Sequence, residues 1–114
     1  MENNLELLCN EWKNILGLTH WNIEVQIVHG DEINNNQGQN DYSFIDEQSL
    51  IRIKRPEDYY GYFPQNMEKT LVHELLHLVL DTSFGDGEVD KYYEQAINRI
   101  ANILVTLKYK NSKL

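Results

Sequence analysis

The chain has 114 residues, with 18 acidic and 10 basic side chains and a formal net charge of −8. That length fits a single domain, 1–114, and leaves no room for a second core, while 41% hydrophobic and 25% charged residues is the balance of a folded rather than a disordered chain. The acidic balance excludes no fold, but it argues against nucleic acid or an anionic membrane surface as partner, since both are gripped by Lys and Arg.

The first segment, Leu5 to Leu18, places Leu5, Leu8, Cys9, Trp12, Ile15 and Leu16 at helical spacing, with Gly17 as the stop. The N-terminus, Met1 to Glu6, lacks the basic region and apolar run of a secretion signal. Cys9 is the single cysteine and has no partner for an internal disulfide, so the expectation is a cytoplasmic protein in a reducing compartment. Trp21, Ile23, Val25 and Ile27 then alternate with Asn22, Glu24 and Gln26, the pattern of a strand with one wet face. Asp31 to Asn40 is rich in Asn, Gln and Gly and predicts a solvated loop. Asp41 to Ile45 and Leu50 to Lys54 read as a hairpin about a polar turn, stopped by Pro56. A connection with Tyr59, Tyr60 and Tyr62 leads through Pro64 to Asn66, a cap for a helix from Met67 to about Asp81.

That helix is apolar nearly all round (Leu71, Val72, Leu75, Leu76, Leu78, Val79, Leu80), which predicts burial on several sides. Its apolar run is broken by His77 and is too short to span a bilayer. After a loop with Gly85 and Gly87, a last helix runs from about Glu88 to Lys108. Its stripe is Val89, Tyr93, Ala96, Ile97, Ile100, Leu104 and Leu107. The order helix, strand, hairpin, helix, helix predicts a small α+β domain built on a three-stranded mixed sheet.

The chemistry lies in His73-Glu74-Leu75-Leu76-His77. Histidines four residues apart stack on one helix face, so both imidazoles reach a single ion. Glu74 lies about 100° further round, near that ion without ligating it. Two neutral imidazoles can then hold Zn²⁺ while the carboxylate takes a proton from water activated by the metal. Setting these three groups in the most apolar helix costs several kcal/mol unless they are paired or bind a metal. No Lys or Arg nearer than Lys69 is available in sequence to pair with Glu74.

A catalytic zinc takes three protein ligands and keeps one position open. His20 and His29 flank the first strand and read as solvated loop residues, and Cys9 reads as core. A carboxylate of the last helix is the better third ligand, from Asp86, Glu88, Asp90 and Glu94. The first three suit the positive end of the helix dipole without further purpose. Glu94 lies inside the helix, one turn before Asn98, which is placed to orient a ligand from behind.

His73-Glu74-Leu75-Leu76-His77, followed 17 residues after His77 by Glu94, resembles the gluzincin metallopeptidases. Size and element order are closest to the minigluzincins and to small metallopeptidases encoded by phages and prophages. The resemblance implies a zincin-like domain with an active-site helix and a C-terminal helix bearing a glutamate ligand. It implies Zn²⁺ held by His73, His77 and Glu94, with Glu74 as general base and then general acid, acting on a peptide or protein substrate. It also implies that the outer strand, near Asp41 to Ile45, pairs with the substrate backbone. The family's oxyanion-stabilising Tyr or His has no match by position; Tyr92, Tyr93, Tyr109 and the Tyr59, Tyr60, Tyr62 loop are the nearby tyrosines. That gap, with a cleft reduced on one side to a single helix, supports an alternative: a metal-binding or protein-binding module with weak catalysis or none. A third expectation is self-inhibition by the basic tail Lys108 to Leu114.

Overall fold

The computed structural model describes residues 2–59, 65–84 and 91–112. The first helix, α1 (Glu2–Leu16), ends where Gly17 turns to φ +74°, a left-handed conformation that costs glycine nothing. The Leu18 N–H then returns to the Lys13 carbonyl at 2.8 Å and Leu18 is buried, the closure of a helix end with its apolar contact. Strand β1 (Asn22–Val28) runs parallel to β3 (Gln48–Lys54), which pairs antiparallel with β2 (Gly38–Ser43), giving a mixed sheet of order β1-β3-β2. The expected α+β class and three-stranded mixed sheet are therefore present.

Helix α2 (Met67–Phe84) packs against α1, β2, β3 and α3 (Lys91–Ser112), as its all-round apolarity predicts. Leu71, Val72 and Leu75 are wholly buried, beside Trp12, Ile51, Ile53 and Ile97. Each such side chain contributes about 1.5–3 kcal/mol by leaving water. The Asn66 carboxamide oxygen accepts the Lys69 N–H at 3.0 Å, capping α2 as expected. Among the described residues no helix is long and apolar enough to cross a membrane.

Four expectations need correction. The stretch 31–40 is not all loop: a short 3-10 turn spans Gly30–Ile33, and β2 begins at Gly38 and ends at Ser43 rather than running Asp41 to Ile45. The polar pattern hides this strand because its inner face meets polar groups of α2, not apolar core. Ile45 sits at the hairpin tip, 95% exposed. On α1, Ile15 faces solvent. On α3, the core stripe is Tyr93, Ile97, Ala101 and Val105, and Ala96, Ile100 and Leu107 are exposed, because α2 covers one side of a helix that carries two apolar stripes. The expected start of the last helix near Glu88, with Val89, and the loop glycines Gly85 and Gly87 lie outside the described residues, as do Tyr60, Tyr62 and Pro64.

Candidate metal centre

The middle of α2 and the first turn of α3 bring three groups together. His73 Nε2 lies 2.8 Å from Glu94 Oε2, and His77 Nε2 lies 3.0 Å from Glu94 Oε1. One ligand atom from each residue falls within 4.8 Å of the others, so two imidazoles and a carboxylate converge on one point. The helical i, i+4 spacing stacks the rings, their centroids 5.3 Å apart. Both imidazoles are largely buried, whereas Glu94 is half exposed and closes the group from the solvent side.

What orients His77 is Asp81, one turn further along α2. Its carboxylate sits 3.0 and 3.1 Å from His77 Nδ1. Asp81 is itself held by the Tyr42 hydroxyl from β2 and the Tyr93 hydroxyl from α3, each donating at 2.5 Å. Burial alone raises the Asp81 carboxyl, but these hydrogen bonds outweigh it and keep its pKa below the ordinary value. An ionised Asp81 accepts a hydrogen bond from Nδ1–H, and in the tautomer this selects, the Nε2 lone pair of His77 is aimed at a Glu94 oxygen that is also an acceptor. Two facing acceptors repel unless a cation or a proton lies between them. The donor set therefore fits a divalent metal: two imidazoles, one carboxylate, and a carboxylate behind one imidazole fixing its tautomer.

Glu74 behaves differently. Its carboxyl lines the same cleft, is 9% exposed, and has no hydrogen-bond partner among the described residues. Burial, opposed by His77 and reinforced by the charges of Glu94 and Asp81, pushes its pKa up to about 7. The cleft holds about 590 Å³. Strand β2 forms its other wall and approaches α2 closely because residue 38 is glycine. A Cβ there would lie 2.7 Å from Thr70 Cγ2 and 3.2 Å from Glu74 Oε2. Asn40 then fastens the strand to α2, donating to the Glu74 carbonyl at 2.9 Å and accepting from the Ser49 hydroxyl at 2.6 Å.

Of the candidates read from the sequence, His73, His77, Glu74 and Glu94 meet in one place, and Asp86, Glu88 and Asp90 lie outside the described residues. His20 pairs with Glu47 at 3.1 Å on the surface, His29 is exposed, and Cys9 is core, its thiol pushed up to about 11 by burial. Asn98 lines the cleft but makes no bond to Glu94; the orienting group is Asp81, acting on His77. Asp81 had a visible signal, since 73, 77 and 81 continue one helical face. Tyr93 is engaged with Asp81, Tyr109 donates to Glu68 away from the cluster, and Tyr92 is exposed. The tail is helical through Ser112, and Lys108 pairs with Glu68 at 2.9 Å, so this part does not lie as an extended strand in the cleft.

Compared with known proteins, the chain matches no family model, no curated protein and no solved structure.

Proposed function

We propose that the protein is a zinc-dependent peptidase of gluzincin type, with His73, His77 and Glu94 as metal ligands. The observation that carries this reading is the convergence of two imidazole Nε2 atoms and a carboxylate beside Glu74, a buried acid whose carboxyl has no hydrogen-bond partner among the described residues. A zinc ion bound there supplies Lewis-acid activation of water and of the scissile carbonyl. Glu74 takes the proton from the attacking water and delivers it to the departing amide nitrogen. A carboxyl whose pKa lies near 7 suits both halves of that transfer. Asp81 holds the His77 ring in the tautomer that offers Nε2. β2 is an edge of the sheet among the described residues, and its residues 38 and 40 turn their own N–H and C=O away from β3, toward where an extended peptide could pair.

The tyrosines nearest the cluster support a second reading. Tyr93 and Tyr109 are committed to carboxylates and Tyr92 faces outward, so none of these three is placed to stabilise an oxyanion, and Tyr59, which lines the cleft, is the described tyrosine left for that role. A metal-dependent peptide-binding module with slow turnover fits that arrangement.

Zinc content by elemental analysis, with hydrolysis of a peptide library before and after chelation, separates the two. The peptidase reading expects one zinc per chain and turnover that the chelator removes and zinc restores. One zinc without turnover favours the binding module, and no zinc refutes both.

A further inference from the structure

We propose that the cleft beside the metal centre carries a carboxylate-recognition subsite built on Lys69. The proposal rests on the peptide-hydrolase reading and names the kind of substrate such a site selects. Lys69 stands one turn before His73 on α2, which puts their Cβ atoms about 5–6 Å apart on one helix face. Its half-buried side chain lines the same cavity as His73, Glu74 and Glu94. Arg52, Arg55 and Lys108 each meet a carboxylate, at 2.9 Å, yet Lys69 has no carboxylate partner among the described residues. Buried Lys54 likewise lacks an acid but is satisfied by the Asn35 carbonyl at 3.1 Å, whereas no hydrogen bond or ion pair holds the Lys69 ammonium among the described residues, and it faces the cavity.

The surroundings favour the same ligand. Asn66, Asn98, Asn102, Gln37 and Thr70 line the cavity around Lys69, and no aliphatic side chain is in its described lining. Apart from the Tyr59 ring such a wall offers an apolar substrate side chain little, whereas carboxamide N–H groups and an ammonium together satisfy the two oxygens of a carboxylate. The overall negative charge disfavours polyanions, which leaves a singly charged carboxylate. In a peptide that group is either an Asp or Glu side chain near the scissile bond or the C-terminal carboxylate.

The test uses short fluorescent peptides carrying Glu, Gln, Leu or Lys at successive positions, each with a free and an amidated C-terminus. Cleavage by the zinc-loaded chain is read by mass spectrometry. Binding is read by anisotropy on zinc-loaded Glu74→Gln. Peptides with the carboxylate should bind and be cut about tenfold better than their uncharged counterparts, the size of one charge-assisted hydrogen bond. Lys69→Met should erase the preference and Lys69→Glu should reverse it toward Lys peptides, both with zinc content unchanged. A preference that survives amidation assigns the side chain, and one lost on amidation assigns the terminus; either supports the subsite. Binding without a carboxylate preference, a preference unmoved by Lys69→Glu, or no binding at all overturns it. Preferential binding without cleavage defeats the peptidase reading alone, and cleavage indifferent to charge defeats the subsite alone.

Discussion

Helix α2 carries two glutamates, Glu68 and Glu74, each 9% exposed, whose surroundings drive them in opposite directions. Glu68 is surrounded by donors. Trp12 Nε1 donates at 2.7 Å, Lys108 Nζ at 2.9 Å, and the Tyr109 hydroxyl bonds the other oxygen. Burial raises its pKa, but these bonds outweigh burial and hold it below 4.5. Glu74, one and a half turns further on, has no donor among the described residues and rises to about 7. The first glutamate ties α1, α2 and α3 together, since its donors come from both other helices. The second is destabilising by itself and lies beside two imidazoles. Burial of an acid therefore does not mark a site; a largely buried acid that faces a cleft and has no donor from the surrounding chain does.

The same change at the two positions should separate them. Glu74→Gln should lower hydrolysis by about 10²–10⁴-fold, the range for loss of a general base, with zinc content unchanged by elemental analysis. Glu68→Ala should leave zinc content alone and cost about 1–3 kcal/mol of stability, because it leaves the buried Trp12 N–H without its acceptor and Lys108 with Glu11 alone. Thermal denaturation followed by circular dichroism measures that loss.

The pH dependence has opposite signs. Glu68 has a folded pKa below its unfolded 4.5, so its stabilisation is present at neutral pH and fades as pH falls below about 4.5. Glu74 has a folded pKa above its unfolded 4.5, so the metal-free fold loses stability as pH rises from about 4.5 to about 7. In chelator-treated protein at pH 8, Glu74→Gln should raise the melting temperature, with a gain of ~3 kcal/mol as the upper bound from that shift. The gain should vanish below pH 4.5.

Smaller effects sharpen the contrast around the metal centre. Asp81→Asn should weaken zinc binding by about 10–100-fold in a competition titration, because the amide holds the His77 ring less well than a carboxylate. Gly38→Ala should cost about 1–3 kcal/mol through crowding against Thr70 and Glu74, and should lower turnover more than zinc affinity.

Much of this was legible in the sequence. His73 and His77 share a face by helical geometry alone, the all-round apolarity of α2 announces burial, and Gly17 and Asn66 mark helix ends. The parts that were not legible depend on contacts between distant residues. The Glu68 group joins positions up to 56 apart, which no local pattern reports. Strand β2 lacks hydrophobic alternation because Gly38, Asn40 and Tyr42 turn toward Thr70, the Glu74 carbonyl and Asp81. A strand that covers a polar cleft reads as a loop. Glu94 was distinguishable from its acidic neighbours only by its place inside a helix, and the packing of α3 on α2 supplies the rest.

The measurement that tests the metal centre most directly is anomalous scattering at the zinc edge from crystals of the zinc-loaded chain. The account predicts one strong peak about 2.0–2.2 Å from Nε2 of His73, Nε2 of His77 and a Glu94 oxygen. A peak elsewhere, or Glu94 turned into solvent with the two imidazoles unligated, would contradict it.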